Sequence, residues 1–234
     1  MVTRGSLYLI PVPIAEGALQ TLPAEVFEYT LLIKHFFAEN IRTSRRFLKS
    51  IHKNLVIDDI QFSEIDKHTG IDTAIFKKWA NEGHNIGVMS EAGCPGIADP
   101  GAELAGLAHS FGMNVIPVTG PSSIILSLMA SGLNGQSFCF NGYLPIKEPA
   151  RSQKLKALET QSKKENQTQI FIETPYRNNQ LLDEILKCCN ENTKCCIAMN
   201  LTAENAYVKT HTISNWKKHK PTLGKAPAVF LILA

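Results

Sequence analysis

The residues best suited to binding a ligand form a glycine- and proline-rich loop at positions 90–101, Ser-Glu-Ala-Gly-Cys-Pro-Gly-Ile-Ala-Asp-Pro-Gly. Gly93 and Gly96 carry no Cβ, so backbone amides there can approach a ligand closely. Pro95 and Pro100 restrict the loop in advance, which reduces the entropy lost on binding. An ordinary connection rich in glycine and proline would have the same composition, so both interpretations stay open. The loop matches neither G-x-G-x-x-G nor G-x-x-x-x-G-K-[ST], which disfavours those nucleotide-binding motifs.

The elements around this loop indicate a strand–loop–helix unit. Ile86–Met89 is a short apolar strand that runs directly into the loop. We expect Asp99 to cap the following helix, with Pro100 at its first helical position. The apolar face of that helix recurs at i, i+3, i+4 and i+7 and ends before Gly112, a predicted stop. Its members are Leu104, Leu107, Ala108 and Phe111.

Two further strand ends carry proline, glycine or serine: those after Val12 and Val118. Strands alternate with helices through this half of the chain, which predicts a largely parallel sheet. The carboxyl ends of parallel strands lie at one edge, so these loops and the one after Met89 are expected to converge on one crevice. Pro117 indicates an edge strand or the end of a strand.

The second half predicts a mixed sheet, with an antiparallel strand over Ala206–Trp216 and a last apolar strand over Ala226–Leu233. We therefore predict an α/β protein of two domains, residues 1–120 and 121–234. The apolar fraction of 44% is ample for packed cores, and the net charge of +3 is milder than in dedicated nucleic-acid binders. No apolar run approaches the roughly 20 residues needed to cross a bilayer. The start reads as a first strand and not as a signal peptide, so we expect a cytoplasmic protein.

The six cysteines include two adjacent pairs, Cys188–Cys189 and Cys195–Cys196. Neither pair has the C-x-x-C spacing of a zinc site, and no histidine stands beside them. We expect buried thiols and no metal site.

A cluster of cations follows the strand at positions 34–39: Arg42, Arg45, Arg46, Lys49 and Lys53. Several of these share one helix face. Contact with phosphate groups and an ordinary solvated helix face are both consistent with this pattern.

The loop at 90–101 resembles the S-D-A-G-T-P-G-I-S-D-P-G signature of the tetrapyrrole methylase superfamily. It is closest to the branch of ribosomal RNA small-subunit methyltransferases that act on the cytidine ribose 2′-hydroxyl. Glu91 stands where that branch has Asp, and Cys94 where it has Thr. Ala-Glu-Asn-Ile-Arg-Thr at 38–43 resembles A-E-D-T-R, with Asn40 in place of Asp.

Weaker matches extend the resemblance over nearly the whole chain. Gly-Pro-Ser-Ser at 120–123 resembles P-G-P-S-A, and Gly-Tyr-Leu-Pro at 142–145 resembles G-F-L-P. Thr-Pro-Tyr-Arg at 174–177 resembles the end of F-Y-E-S-P-H-R, with Tyr176 in place of His. The branch usually continues into a further small helical domain, which we expect this chain to lack.

The resemblance implies a two-domain tetrapyrrole-methylase-like fold that holds S-adenosylmethionine between its domains and needs no metal. It implies Glu39 as the base for a hydroxyl acceptor; pairing with Arg42 is an equally weighted alternative role for this carboxylate. The implied substrate contacts are Arg45, Arg46, Lys147 and Arg151. The implied cofactor contacts are Pro11, Pro13, Ser90, Glu91, Ala92, Gly93, Pro95, Gly96, Ile97, Ala98, Ser122, Ser123, Asn200, Leu201, Ala226 and Pro227.

Three functions stay open at this point. The first is a methyltransferase acting on ribosomal RNA or the small ribosomal subunit, at a ribose 2′-hydroxyl. The second is a methyltransferase of a small molecule such as a tetrapyrrole. The third is a non-catalytic S-adenosylmethionine-binding protein of the same fold, which the changes at Asn40, Glu91 and Cys94 favour slightly. The resemblance further implies a homodimer.

Overall fold

The computed structural model describes residues 4–66 and 69–234. The chain divides into two compact units, residues 1–122 and 123–234. Each unit is built on its own five-stranded sheet.

The first unit contains a wholly parallel sheet, as the alternation of strands and helices predicts. Its strands are Ser6–Leu9 (β1), His35–Ala38 (β2), Gln61–Glu64 (β3), Ile86–Met89 (β4) and Asn114–Pro117 (β5). They are ordered β3-β2-β4-β1-β5, with every neighbouring pair parallel. Its helices are Ala24–Leu32 (α1), Ile41–Ile51 (α2), Thr73–Asn81 (α3) and Ala102–Ser110 (α4). Pro117 lies on an edge strand, which confirms that prediction.

Alternation of side chains along the strands gives this sheet an apolar core on both faces. In β2, Phe36 packs with Val26 of α1 and Leu48 of α2, while Phe37 packs with α3 and α4 on the other face. Leu104 of α4 joins the second cluster and is fully buried. Buried on both faces, the central strands hold the loops at their carboxyl ends on a fixed frame.

The predicted start of α4 is wrong. The helix begins at Ala102, and its cap position is Gly101, not Asp99. Gly101 has φ +136°, far outside the helical region, so the chain between Pro100 and Ala102 cannot be helical. The predicted stop is confirmed, since Gly112 has φ +65° just past the helix.

The second unit has a mixed sheet, also as predicted. Its strands are Phe138–Tyr143 (β6), Thr168–Glu173 (β7), Lys194–Met199 (β8), Tyr207–Thr212 (β9) and Ala228–Leu233 (β10). The order is β6-β7-β10-β8-β9, in which only β6 and β7 run parallel. Its helices are Ser123–Ser131 (α5), Ala150–Glu165 (α6), Asn178–Cys188 (α7) and Ile213–Lys218 (α8).

The predicted strand over 206–216 is too long. It stops at Thr212, whose side-chain oxygen accepts a hydrogen bond of 3.3 Å from the Asn215 amide and caps α8. Trp216 is therefore helical and buried, and its indole N–H donates to the Cys195 carbonyl at 2.8 Å. The loose alternation of polar and apolar residues predicted a longer strand, but the Thr212 cap and the burial of Trp216 favour a helix there.

The six cysteines are free thiols. Burial raises the pKa of Cys189 to about 12 and that of Cys195 well above its usual value, so both stay protonated and unreactive. Within residues 4–66 and 69–234, His, Cys, Asp and Glu side chains form no group of three that could hold a metal ion.

The helices in the described part of the chain are too short or too polar to cross a membrane.

Two glycines test the packing of the first unit. A Cβ on Gly87 in β4 would lie 2.4 Å from the ring of the buried Phe36, whereas one on Gly106 in α4 would meet no atom within 4 Å. We expect Gly87→Ala to lower the free energy of unfolding by about 1–3 kcal/mol through overpacking. Gly106→Ala should raise it by about 0.5–1 kcal/mol, since alanine favours the helix. Urea denaturation measures both, and equal effects of the two substitutions would contradict this account of β4.

Candidate active site

The loops that follow β1 and β4 are joined to each other through their backbones. Val12 and Gly93 exchange two hydrogen bonds, of 2.9 Å from the Val12 amide and 3.1 Å from the Gly93 amide. This isolated antiparallel bridge lies beyond the carboxyl ends of two adjacent central strands. Two of the three loops predicted to converge therefore do so directly.

The loop after β5 meets the same place. A Cβ on Gly120 would lie 2.1 Å from Cβ of Pro11, so only glycine fits there without movement. The thiol of Cys94 donates a weak hydrogen bond to the Pro121 carbonyl at 3.4 Å, and burial raises the pKa of this thiol. The predicted convergence of all three loops is thus present in the structure.

The glycine- and proline-rich loop at 90–101, called the glycine loop below, folds back on itself. Gly93 and Gly96 have φ +71° and +81°, and Ala98 has φ +63°, an uncommon angle for a residue with a Cβ. The Gly96 amide donates to the Pro100 carbonyl at 3.1 Å. Because the Gly93 and Gly96 amides are both bonded within the protein, a ligand would meet this loop through its other groups.

Glu39 is attached to the same edge from the neighbouring strand. Its amide donates to the Met89 carbonyl at 3.0 Å, and its Oε2 accepts from the Glu91 amide at 3.0 Å. This contact ties the Glu39 carboxylate to the glycine loop. The contact also fixes the first residues of the loop relative to β2.

Asn40 performs a structural task that an aspartate would also perform. Its Oδ1 accepts from the amides of Arg42 and Thr43 at 3.0 and 3.2 Å, which caps α2. The residue that departs from the family pattern thus keeps the helix start, and with it the orientation of the following arginines.

A cavity of about 560 Å³ opens beside this edge of the first unit. It is lined by the loop after β1, by α2 and by the start of the glycine loop. Pro13, Ser90 and Glu91 are the predicted cofactor residues among its walls, and Arg46 is the predicted substrate residue. Its remaining walls include residues that the sequence did not single out: Val12, Ile14, Ala15, Glu16, Gly17, Leu19, Thr43, Ser44, Phe47 and Ser50.

A second cavity, of about 490 Å³, brings Arg42, Arg45 and Arg46 together with Asn40 and Glu64. The three arginines lie at i, i+3 and i+4 of α2 and are exposed. Arg46 borders both cavities.

Lys49, grouped with these arginines by sequence, has a different position. Its ammonium donates to the carbonyl of Leu55 at 2.8 Å and to that of Lys53 at 3.4 Å. It therefore stabilises the segment that follows α2.

In the second unit, the four predicted cofactor residues lie at one edge of the sheet. Antiparallel pairing sets Ala228 opposite both Glu173 and Met199, so the segments before β10 and after β8 meet there. The Asn200 amide donates to the Pro227 carbonyl at 3.1 Å. Leu201 follows Asn200, and Ala226 precedes Pro227, in the same two segments.

The residues around Ala226 are held by two asparagines at the start of α7. Asn178 Nδ2 donates to the Ala226 carbonyl at 2.8 Å, and Asn179 exchanges hydrogen bonds with Leu223 at 2.7 and 2.8 Å. Sequence reasoning missed both anchors. A pair of asparagines next to a proline-containing turn is a signal for such contacts, although it does not identify their partners.

An ion pair between a buried glutamate and a partly exposed arginine lies at the same edge. Glu173 Oε1 accepts from Nη2 of Arg177 at 2.7 Å, from Nε at 3.0 Å, and from the Thr174 amide at 2.7 Å. Burial alone would raise the pKa of Glu173, but these hydrogen bonds outweigh it and lower that pKa. The hydrogen bond to Glu173 is also the main cause that raises the pKa of Arg177. The pair fixes the turn after β7.

The other two predicted substrate residues are neighbours in the segment that follows β6. The Arg151 amide donates to the Lys147 carbonyl at 3.1 Å, and the Arg151 guanidinium donates to the Ile146 carbonyl.

The remaining predicted cofactor residues lie in two places. Ser122 ends the first unit, and Ser123 begins α5 in the second. Pro95 is buried in the glycine loop, while Ala92 and Ile97 are exposed.

No protein-family model matches the chain. Curated relatives do match it over most of their length. One is ribosomal RNA small subunit methyltransferase I of Buchnera aphidicola subsp. Acyrthosiphon pisum, which is 30% identical over 233 residues, covering 97% of this chain and 78% of the relative. The chain belongs to the ribosomal RNA small subunit methyltransferase I family. It is therefore an enzyme of the methyltransferase class, which confirms that prediction.

Other members of this family give the same result. The protein of Buchnera aphidicola subsp. Schizaphis graminum is 29% identical and covers 98% of this chain and 78% of its own. That of Halalkalibacterium halodurans is 33% identical over 206 residues, or 86% of this chain and 66% of the relative.

Among solved structures, uroporphyrin-III C-methyltransferase from Thermus thermophilus matches 98% of this chain and 92% of its own, with a TM-score of 0.56. At 15% sequence identity this likeness shows the fold alone. It confirms the tetrapyrrole-methylase-like fold that the resemblance implies.

Gly93 provides a sharp test of the joined loops. At φ +71°, a β-branched residue such as valine would strain the backbone, so alanine is the cleaner substitution. A Cβ there would also lie 3.3 Å from the Pro121 carbonyl. We expect Gly93→Ala to lower the free energy of unfolding by roughly 1–2 kcal/mol from the backbone angle, and to weaken S-adenosylmethionine binding at least tenfold in calorimetry.

Gly132→Ala is the matched control. Gly132 has φ +67°, but a Cβ there would meet nothing within 4 Å. It should lose comparable stability and bind S-adenosylmethionine as the unsubstituted protein does. Equal affinities of the two variants would remove the Gly93 loop from the binding site.

Proposed function

We propose that this enzyme transfers a methyl group from S-adenosylmethionine to ribosomal RNA, at a ribose 2′-hydroxyl. The relatives' names identify them as ribosomal RNA methyltransferases of the small subunit. The observation that carries the proposal is the joining of three strand-end loops and the Glu39 carboxylate at one sheet edge beside a cavity of about 560 Å³.

The residues at this edge fit the proposed cofactor. The cavity is large enough for part of such a ligand, and its walls combine apolar groups such as Phe47 and Ile14 with acceptors such as Glu91. A carboxylate suits an ammonium or sulfonium group. When bound, S-adenosylmethionine supplies an activated methyl group for an in-line displacement. The protein contributes alignment and exclusion of water, for which a loop held by backbone hydrogen bonds is well suited.

Glu39 has two possible contributions in this proposal. Its Oε2 holds the Glu91 amide, which positions the loop, and a carboxylate so fixed can also accept the proton of a hydroxyl acceptor. Positioning needs only an oxygen acceptor, whereas proton removal needs the negative charge. These contributions can be separated by substitution.

The three arginines of α2 favour an RNA acceptor over a neutral small molecule. They surround a cavity of about 490 Å³ that adjoins the first one through Arg46. Guanidinium groups bind phosphate with well-defined geometry, and a polynucleotide presents phosphates at regular intervals. The propionates of a tetrapyrrole would also pair with arginines, so a small-molecule acceptor is the second candidate function.

Substitution of Glu39 tests its contribution. Glu39→Gln keeps an oxygen that accepts from the Glu91 amide but removes the charge, while Glu39→Ala removes both. If Glu39 is the base, we expect both variants to lose at least a hundredfold in methyl transfer. Glu39→Gln should keep its affinity for S-adenosylmethionine. The assay follows labelled methyl groups into small ribosomal subunits from a strain that lacks the enzyme.

Two results would contradict this assignment. Near-normal methylation by Glu39→Gln with loss in Glu39→Ala would limit Glu39 to positioning. Transfer by the unsubstituted enzyme to a tetrapyrrole, and not to subunits, would overturn the RNA proposal itself.

We also propose that the enzyme is a cytoplasmic homodimer. Exposed apolar side chains such as Ile125 and Met129, one turn apart on α5, provide surface that an interface would bury. Sedimentation at micromolar concentration should show a dimer, and Met129→Asp should shift the protein toward monomer. A monomer at all concentrations would exclude this assembly.

A further inference from the structure

Two exposed tyrosines lie at the carboxyl edge of β6 and β7 in the second unit. β6 and β7 are parallel, with Tyr143 paired to Ile172, so the residues after both strands emerge at one edge. Tyr176 follows β7 in a short turn and is 78% exposed, and Tyr143 is 60% exposed. Two exposed tyrosines at one sheet edge offer large aromatic surface on which a partner can pack.

The turn that carries Tyr176 is rigidly held. Glu173 bonds the Thr174 amide and the Arg177 guanidinium, and the Arg177 amide donates to the Thr174 carbonyl at 2.9 Å. Tyr176 lies between these fixed residues. Its ring is therefore presented to solvent from an ordered backbone, which reduces the entropy that a partner would have to offset.

A cation is held beside the ring. Lys225 Nζ lies 5.3 Å from the centroid of Tyr176. The segment containing Lys225 is fixed by Asn178, which donates to the Ala226 carbonyl at 2.8 Å and more weakly to that of Gly224. Since Glu173 neutralises Arg177, Lys225 supplies the positive charge at the ring.

We propose that Tyr176 and Lys225, with Tyr143 at the same edge of the sheet, form a stacking surface for single-stranded RNA. This inference rests on the proposed RNA function and deepens it. Proteins bind single strands by stacking bases on aromatic rings while cations contact the adjoining phosphates. A fixed tyrosine with a lysine at its face offers both contacts.

Binding of fluorescent RNA tests this surface. The probes are a single-stranded RNA dodecamer and a duplex of equal length, followed by anisotropy over a range of salt. We expect Tyr176→Ala to weaken binding of the single strand about tenfold and that of the duplex much less, since paired bases cannot stack on the ring. Tyr176→Phe should bind normally, because it keeps the ring. Lys225→Ala should lower the log–log salt slope by about one.

The controls lie at the opposite edge of the same sheet. Phe138 begins β6 and is exposed, and Lys164 lies in the last turn of α6, where its exposed side chain pairs with Glu165. Phe138→Ala and Lys164→Ala should leave RNA binding and its salt slope unchanged. Circular dichroism should show all variants folded, as expected for exposed positions.

The outcomes separate this surface from the proposed function. Normal single-strand binding by Tyr176→Ala, in a protein that still methylates subunits, would overturn the surface and leave the function intact. Reduced affinity of Tyr176→Ala for S-adenosylmethionine with unchanged RNA binding would assign the ring to the cofactor and overturn the surface. An unsubstituted protein that neither binds nor methylates RNA would overturn both proposals.

Discussion

The pair of hydrogen bonds between Val12 and Gly93 is the constraint on which the site of the first unit depends. It joins the loops after β1 and β4 through backbone atoms, so no side chain can replace it. Gly93 meets the required φ of +71° without a steric penalty. Beside these joined loops, Gly120 packs directly on Pro11 and the Glu91 amide donates to Glu39. This backbone bridge thus lies among the contacts that position the candidate chemical groups.

Sequence reasoning predicted the convergence of these loops because parallel strands end at one edge, and that rule needs no atomic detail. It could not predict which atoms meet. The start of α4 shows the reason: Asp99-Pro100 is a good local signal for a helix start, but the left-handed backbone at Ala98 and Gly101 delays the helix to Ala102. Likewise, the Glu39 contact joins residues 52 positions apart, and no local pattern encodes it.

Three residues that differ from the family pattern still make hydrogen bonds that hold the site in place. Asn40 offers the same Oδ1 that an aspartate would use to cap α2. Cys94 keeps a donor, weaker than a threonine hydroxyl, for the Pro121 carbonyl. Glu91 bonds Glu39 through its backbone amide, a contact that does not depend on the length of its own side chain. Each substitution leaves the joined edge in place, which removes much of the reason to regard the chain as a non-catalytic binding protein.

The two units stabilise their functional edges by different means, and the difference has a physical consequence. In the first unit a backbone bridge and glycine contacts hold the loops together with side-chain bonds from Glu39 and Cys94, which leaves little freedom for atoms that must be aligned to within a fraction of an ångström. In the second unit side chains such as Asn178 and Glu173 hold the loops, and exposed rings such as Tyr176 project beyond them. Stacking on an exposed ring tolerates changes of base and small displacements. Under the two proposals, precise alignment and tolerant binding place different demands on the two edges.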